Sequence, residues 1–378
     1  MVEISVIIPA YNVGQYIDKC LDSVINQTFE DIEIICIDDG STDNTLDIIK
    51  SYAKDDNRIK FIHQENRGLS ASRNVGLNNS KGKYICFLDS DDFLDLDALK
   101  KTYDICEDKN LDFLIYKLID FDDETDQCSP NSYFDIPFLK DMVGGDVFNH
   151  EDVGWKVYQM CVTAPGKLFK YDLIRDIRFP EGLIFEDNIF FTDVMFKAER
   201  VYFLDEYLYY RRVRQDSITN SLTDRFKDWI EINNLLIDVT KKHGQYDKYK
   251  WVLFNKKIFN SYKNFSRVKE DEKEEFFELL KADFKNHRDE YESDEVFKGL
   301  REREKLIFRT GIDALTYREF ELTIQNFDLN NSNENLSKDN SDLKKRIISY
   351  KKINHDILNS NSWKLTKPLR KSLNIFRK

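Results

Sequence analysis

The sequence predicts an α/β protein with a doubly wound sheet, followed by a helical C-terminal region and a short coiled-coil tail. Short β-branched runs alternate with helical patterns over the first part of the chain, with short connections between them. Farther on, apolar residues occur at helical spacing, and near the C-terminus they recur every seven residues. With 378 residues, the chain can hold two domains or one large domain with an appendage.

The first elements follow from the apolar pattern. Ile4–Ile8 is rich in β-branched residues, as a buried strand is, and Val13–Gln27 places its apolar residues on one helical face. Ile32–Ile37 is a second buried strand. The polar residues Ser41–Asp43 then favour the start of a second amphipathic helix.

The same alternation continues along the chain. Arg58–His63 is the third predicted strand and Ser70–Asn78 the third helix. Tyr84–Leu88 and Leu111–Tyr116 are predicted as further strands because each is an apolar, β-branched or aromatic run. Residues 153–220 have a mixed pattern. We expect these elements to form a first domain at residues 1–222.

The rest of the chain predicts a helical accessory region at residues 223–327 and a tail at 328–378. In the tail, one set of residues recurs at intervals of seven, and another set, mostly Asn, lies four residues after each member of the first. The two sets are Leu329, Leu336, Leu343, Tyr350 and Ile357, and then Asn333, Asn340, Ile347, Asn354 and Asn361. This heptad pattern predicts a parallel coiled coil, and thus a homo-oligomer, through residues 328–361.

Composition and charge narrow the class of protein. The chain is 41% hydrophobic and 33% charged, and its six Cys show no metal-ligand spacing. The longest uncharged run, Ile4–Ile17, is too short to span a bilayer, and an export signal is not apparent. The formal charge is -12, although residues 341–378 hold 11 Lys and Arg against 2 Asp and Glu. We expect a cytoplasmic protein that does not bind nucleic acid.

Acidic and amide side chains follow three of the predicted strands. Asp38 and Asp39 end the second strand, Asn66 follows the third, and residues 89–92 (Asp-Ser-Asp-Asp) follow the fourth. Ligands bind beyond the carboxyl ends of the strands in such sheets. Carboxylates two residues apart at a tight turn suit Mg²⁺ or Mn²⁺ held together with substrate phosphates. A ligand-free acidic turn explains residues 89–92 about equally well.

Five segments taken in order resemble family 2 glycosyltransferases of the GT-A fold. They are Ser5–Asn12, Gln27–Phe29, Ile37–Asp43, Asn66–Asn74 and Phe87–Asp92. The resemblance covers about the first 220 residues and implies a mixed, doubly wound sheet. It also implies a metal-dependent, inverting transfer of a sugar from a nucleoside diphosphate donor.

The resemblance implies which residues bind the donor. Pro9, Tyr11 and Asp39 would line a uracil pocket, since an aromatic face with one acceptor suits a pyrimidine edge. Turn chemistry alone could also explain Asp39. The other donor-binding residues would be Asn12 and, near the ribose and phosphates, Asn66, Gly68, Arg73 and Asn74.

The resemblance also implies the metal ligands and the base. Asp91 is the first metal ligand, and Asp89 and Asp92 would contact the metal, its water or the ribose. Glu186 and Asp187 open a predicted apolar helix and match the family's Glu-Asp motif, and Asp187 would be the general base. An acidic helix N-terminus is the alternative for this pair.

A basic segment and an acceptor-side segment follow the same resemblance. Arg212, Arg214 and Ser217 lie in a Y-x-R-x-R-x-x-S-I segment, in which the two Arg could close over the diphosphate. A solvated basic loop is the alternative. Some relatives place a metal-ligating His nearby, and this chain has none there. Ala164–Phe169 occupies the place of an acceptor-side segment but lacks the Trp that relatives often have.

The C-terminal segment interleaves apolar and basic residues. Its apolar members are Trp363, Leu365, Leu369, Leu373 and Phe376. Such a segment suits the anionic inner face of the cell membrane, and a similar segment ends many surface-glycan glycosyltransferases. A lipid-linked acceptor is therefore expected, unless the tail only makes the chain soluble.

Together these observations predict a hexosyltransferase that elongates a cell-surface glycan from a UDP-sugar, with Mn²⁺ or Mg²⁺ as cofactor. Two alternatives remain open. A nucleotidyltransferase of the same fold would carry a Gly-rich loop after its first strand, and Val6–Asn12 is not one. A non-catalytic sugar-binding scaffold would not need Asp89, Asp91 and Asp187.

Overall fold

A computed structural model describes residues 2–213, 223–360 and 364. The chain divides into two compact units, Met1–Ile312 and Asp313–Lys378. In the described part of the first unit, the strands are β1 Ile4–Ala10, β2 Ile32–Asp38, β3 Ile59–His63, β4 Tyr84–Phe87, β5 Phe93–Leu94, β6 Phe113–Asp122, β7 Gln127–Pro130, β8 Lys167–Lys170 and β9 Val201–Arg212.

Helices lie between these strands and after them. Those between the strands are α1 Ile17–Ile25, α2 Thr45–Asp55, α3 Leu69–Asn79, α4 Ala98–Lys109, α5 Ser132–Asp135, α6 Pro137–Val143, α7 His150–Val153, α8 Tyr171–Ile174 and α9 Asp187–Lys197. Those after β9 are α10 Asp228–Lys242, α11 Tyr246–Phe265, α12 Lys273–Asn286, α13 Arg288–Glu292, α14 Asp294–Gly299 and α15 Glu302–Asp313.

The strands form one mixed sheet in the order β3-β2-β1-β4-β8-β6-β9-β5, with β7 paired to β6. Strands β1 to β4 are parallel to their neighbours among themselves, whereas β8 is antiparallel to both β4 and β6. Every residue of β1 and β2 is buried, as expected for parallel strands covered on both faces. The predicted α/β class and the mixed, doubly wound sheet are confirmed.

Several boundaries differ from the sequence prediction. Helix α1 begins at Ile17 rather than Val13, and the backbone N–H groups of Val13 and Gly14 donate to the side chains of Thr45 and Asp43 around the start of α2. Strand β6 continues six residues past Tyr116, paired along β9. Strands β8 and β9 lie in the region that the sequence left as a mixed pattern.

Helix α3 packs closely on the sheet at Gly76. A Cβ atom built on Gly76 would lie 2.3 Å from Ile7 Cγ2 and 3.2 Å from Ile37 Cδ1, on β1 and β2. The missing side chain therefore sets how near α3 comes to the sheet. This distance matters because α3 also carries Arg73, which belongs to the site described below.

The helices after β9 take part in two ionic contacts. The first is buried between two of these helices, and the second joins them to α9. Lys257 on α11 donates to Asp283 on α12, and both side chains are almost fully buried. Asp193 on α9 accepts from Lys242 at 2.7 Å and bonds His243 at 2.7 Å. This second cluster connects α9 to the end of α10.

The second unit contains one long helix, α16 Tyr317–Asn359, whose first turn is capped by the Thr316 side chain. The predicted heptad positions in this helix are largely exposed, at 61% for Leu329, 60% for Leu336 and 53% for Leu343. Apart from Lys364, the basic apolar segment from Trp363 onward lies outside the described residues. Within the described residues, we find no helix that is long and apolar enough to cross a bilayer.

The contact at Gly76 generates a stability prediction. In an open helix, Gly→Ala favours folding by about 1 kcal/mol, whereas overpacking a tight core costs about 1–3 kcal/mol. We expect Gly76→Ala to lower the free energy of unfolding in urea, because its Cβ would overlap Ile7. Gly299→Ala is the control, since its Cβ would meet Trp251 at an ordinary 3.4 Å. Equal stability of Gly76→Ala and wild type would show that α3 can move away without cost.

Candidate active site

The acid turn, Asp89–Asp92, joins β4 to β5. The Asp92 N–H donates to the Asp89 carbonyl at 3.0 Å, which closes the turn. Asp92 is buried and accepts hydrogen bonds on both carboxylate oxygens, whereas the Asp89 side chain is one-third exposed. Burial, followed by repulsion from Asp91 and Asp89, raises the pKa of Asp92 well above its usual value. The turn therefore presents Asp89 and Asp91 to solvent and keeps Asp92 inside.

A second pair of acids begins helix α9. Glu186 immediately precedes the helix and Asp187 is its first residue, as the sequence predicted. The backbone reaches them through Phe185, which has a φ of 68° and stacks on Trp229 at 4.5 Å between ring centroids. A positive φ at a bulky residue is strained, and such strain is typical of functional sites.

Arg73 joins the acid turn to the start of α9. The guanidinium is 1% exposed. Its Nη1 donates to Glu186 Oε1 at 2.9 Å and to Asp187 Oδ1 at 2.7 Å, while its Nη2 donates to Asp89 Oδ1 at 3.0 Å. Asp187 is 114 residues away along the chain. One buried cation therefore holds three carboxylates from two separate segments.

The cluster shifts the pKa values of Arg73, Glu186 and Asp187. Burial acts to lower the pKa of Arg73, but attraction to Asp187, Asp89 and Glu186 outweighs it, and the pKa is raised. Burial and repulsion from Asp187 raise the pKa of Glu186 to about 7. Burial also raises the pKa of Asp187, although Arg73 opposes the rise. Proton affinity near neutrality suits a group that accepts a proton in a reaction.

The predicted acceptor-side segment lies beside Asp187. The Ala164 N–H bonds to the Asp187 carboxylate, and Lys167 attracts it. Lys167 is fully buried and donates to the Thr163 carbonyl at 2.5 Å. Sequence analysis did not select Lys167 as a site residue. The signal it offers is a Lys that directly precedes the buried apolar pair Leu168 and Phe169 in β8.

Asp39, which directly follows β2, bonds to the loop after β3. It is 4% exposed. Its carboxylate accepts from Gln64 Nε2 at 2.6 Å, the Arg67 N–H at 3.0 Å and the Gly68 N–H at 2.7 Å. Gly68 has a φ of 88°, a conformation that glycine adopts without strain. Asp39 therefore fixes the loop that carries Asn66, which is exposed.

The residues after β1 are held in a similar way. Tyr11 is 48% exposed at the strand end, and Pro9 is buried within β1. Asn12 adopts a φ of 52° and its Oδ1 accepts from the Thr42 N–H at 2.8 Å. Of the predicted uracil-binding residues, Tyr11 and Asp39 thus follow β1 and β2, whereas Pro9 is the second-last residue of β1. Their contact with a base stays a prediction.

Two predicted substrate contacts have internal partners in the structure. Asn74 clamps the backbone of Phe179, donating to its carbonyl at 2.9 Å and accepting from its N–H at 3.0 Å. Arg212 is 7% exposed and donates through Nε to the Asp91 carbonyl at 2.7 Å. It also pairs with Asp123. Arg214 and Ser217 lie outside the described residues.

Comparison with known proteins identifies the family. The family model "Glycosyl transferase family 2" matches residues 5–163. The chain is 31% identical to the glycosyltransferase GlyG of Streptococcus pneumoniae over 227 residues. The matched part covers 58% of this chain and 74% of GlyG.

The chain belongs to glycosyl transferase family 2.

Other similarities are consistent with this assignment. The family 2 chain is 36% identical over 231 residues to the glycosyltransferase GlyA of S. pneumoniae, a match of 59% of this chain but only 32% of GlyA. The structure of S. aureus TarS 1-349 in complex with UDP-GlcNAc superimposes with a TM-score of 0.68 at 22% identity. That match covers 87% of this chain and 92% of the TarS chain, and it supports the GT-A fold.

A family 2 enzyme commonly uses a divalent cation, so we tested whether the acid turn fits one. Among the residues that the structure describes, no group of three or more His, Cys, Asp or Glu side chains is arranged to hold a metal ion. Mg²⁺ and similar ions, however, are often held by one or two carboxylates together with substrate phosphates and water. Asp89 and Asp91 fit that role, whereas both oxygens of Asp92 are engaged inside the protein.

The buried cluster generates a stability prediction. We expect Arg73→Met to lower the free energy of unfolding at pH 8 by about 3–5 kcal/mol, because it leaves three carboxylates without their cation. Without Arg73 the pKa values of Glu186 and Asp187 rise further above those of the unfolded chain. The deficit should therefore shrink as the pH falls and the acids take up protons.

Arg67→Met is the matched control for this experiment. Arg67 pairs with Glu181 at 2.8 Å, but both side chains are about half exposed, so its loss should cost less than about 1 kcal/mol. Urea unfolding from pH 5 to pH 8 measures both variants. A deficit for Arg73→Met that does not change with pH would contradict the electrostatic explanation.

Proposed function

We propose that the protein is a metal-dependent, inverting glycosyltransferase that moves a sugar from a UDP-sugar to a glycan or lipid-linked acceptor. Its place would be the synthesis of a cell-surface polysaccharide or glycoconjugate. The observation that carries the proposal is the Arg73 contact to both Asp89 and Asp187. This contact brings Asp89, which would hold the cation of the donor diphosphate, close to Asp187, which would accept the proton of the acceptor hydroxyl.

The donor would bind along the carboxyl edge of the sheet. The exposed ring of Tyr11 would stack on uracil, and Asp39 would accept from its ring N–H. Family membership and the likeness to TarS, whose printed complex contains UDP-GlcNAc, support a UDP-sugar. Asp89 and Asp91 would hold Mn²⁺ or Mg²⁺. When bound, that ion neutralises charge on the diphosphate leaving group.

Asp187 would act as the general base. As the acceptor oxygen attacks the anomeric carbon, its proton passes to the Asp187 carboxylate, and the bond from carbon to the diphosphate oxygen breaks. A single displacement of this kind inverts the anomeric configuration. Arg73 and the Ala164 N–H hold the carboxylate in place. Glu186 shares Arg73 and would keep the guanidinium in position.

We further propose that residues 1–222 are the catalytic domain, with 223–327 an accessory layer and 328–378 a tail that contacts the inner face of the membrane. Helix α16 would pair with a second copy of this chain. Its Leu and Asn residues form separate sets in the heptad, so a parallel copy places Asn opposite Asn and Leu opposite Leu. In an antiparallel pair, Asn would face Leu, and the buried Asn amides would have no hydrogen-bond partners.

The first prediction concerns Asp187. We expect Asp187→Asn, which keeps the shape of the side chain, to lower kcat by roughly 10²–10⁴-fold, the usual worth of a positioned base. UDP affinity should stay near the wild-type value, as measured by calorimetry. Asp193→Asn is the control on the same helix, because Asp193 contacts Lys242 and His243 on α10. Donor binding that falls in step with kcat would assign Asp187 to the donor instead.

The second prediction concerns the cation. Nucleoside diphosphate release from UDP-sugars should require Mn²⁺ or Mg²⁺, and Asp91→Ala should weaken UDP binding mainly when metal is present. A donor screen with and without EDTA, read as released UDP, measures this requirement. Full turnover of the wild-type protein in EDTA would refute a metal-dependent reaction.

The third prediction concerns α16. Leu336→Lys together with Leu343→Lys should make the full-length protein monomeric in light scattering, because both residues lie on the proposed seam. Ile348→Lys is the matched control, since Ile348 is 68% exposed and lies outside both heptad sets. Truncation before Asp328 should also abolish pelleting with anionic vesicles while turnover persists. A wild-type protein that is monomeric and does not pellet with anionic vesicles at low salt would contradict both the self-association and the membrane contact.

A further inference from the structure

The end of strand β9 holds the acid turn through one hydroxyl group. Tyr209 Oη donates to Asp92 Oδ2 at 2.7 Å and accepts from the Asp89 N–H at 3.2 Å. Tyr209 is fully buried. A single hydroxyl group therefore bridges the first and the last residue of the acid turn.

Other contacts from the same strand act on the same turn. The Arg212 N–H donates to Asp92 Oδ1 at 2.7 Å, and Arg212 Nε donates to the Asp91 carbonyl at 2.7 Å. Strand β5, which follows the turn, pairs with β9 at Tyr209 and Tyr210. The conformation of the acid turn is thus set from β9, more than 110 residues farther along the chain.

These contacts separate two roles within the turn. A buried carboxylate needs hydrogen-bond partners, and Asp92 takes both of its partners from β9. With Asp92 fixed inward, the two partly exposed acids, Asp89 and Asp91, are left facing outward. The direction in which they face therefore depends on Asp92, and Asp92 depends on Tyr209.

We propose that Tyr209 is a positioning residue, which sets the acid turn so that Asp89 and Asp91 can hold the cation and diphosphate together. The inference rests on the proposed function, since it presumes a metal-dependent donor site. Tyr209 itself contacts neither the donor nor the cation. It acts through Asp92 and the Asp89 backbone.

The test compares two buried tyrosines. Tyr209→Phe removes both hydroxyl contacts but keeps the ring. Tyr116→Phe is the matched control, because Tyr116 is 2% exposed on the neighbouring β6 and, among the described residues, its hydroxyl contacts Cys86 Sγ at 3.9 Å. Calorimetry measures UDP binding to the full chain over a series of Mn²⁺ concentrations and in EDTA, and thermal unfolding checks that both variants fold.

We expect Tyr209→Phe to raise the Mn²⁺ concentration for half-maximal UDP binding by roughly 10-fold, the low end for loss of a residue that supports metal ligands. UDP affinity in EDTA should stay unchanged, and Tyr116→Phe should match the wild type in both measurements. Tyr209→Phe added to Asp92→Asn should have little further effect, because the two residues act through one contact.

Three outcomes would overturn the inference. An unchanged Mn²⁺ requirement in Tyr209→Phe would refute it while leaving the proposed function intact. A loss of UDP affinity that is equal with and without metal, and that follows the melting temperature, would show a purely structural role. UDP binding by the wild-type protein that does not depend on metal would refute both the inference and the metal-dependent function.

Discussion

The structure of the site depends on one buried cation, the guanidinium of Arg73. It contacts Asp89 from the acid turn and both Glu186 and Asp187 from the start of α9. Three carboxylates so close together repel one another, and burial makes Glu186 and Asp187 costly to ionise. The protein can keep them together because α3 places a charged, fully buried partner between them, and the close contact of Gly76 with Ile7 seats α3 on the sheet.

The same constraint explains why so many polar groups around the site bond to the protein itself. Asp39 fixes the backbone at Arg67 and Gly68, Asn74 fixes that of Phe179, and Tyr209 fixes the acid turn. Groups that are already held need little reorganisation when a charged substrate arrives, which is how enzymes stabilise developing charge. Tyr11, which is 48% exposed, and Asp89, which is one-third exposed, are among the groups that can contact a ligand.

The sequence predicted the strands β1 to β4 and the positions of the acids at their ends, because a local apolar pattern suffices for both. It also predicted that Asp187 begins a helix. It did not predict that Arg73 lies between Asp89 and Asp187, and the family resemblance placed Arg73 near the ribose and phosphates of the donor. The contact joins residues 114 positions apart, and a local pattern carries no information about it. Strand β9 was missed for a similar reason, since its aromatic and charged residues do not alternate regularly, and its role at the acid turn depends on the sheet order.

Arg73 would therefore keep its contacts with Asp89 and Asp187 when the donor binds. A crystal structure of the protein with UDP and Mn²⁺ tests this most directly. We expect the Arg73 guanidinium to keep its contacts with Asp89 and Asp187, at distances close to 3.0 and 2.7 Å, while the diphosphate binds outside it. A guanidinium that leaves Asp187 and bonds to the diphosphate oxygens would contradict this role, and would return Arg73 to the substrate-binding role that the family resemblance implied.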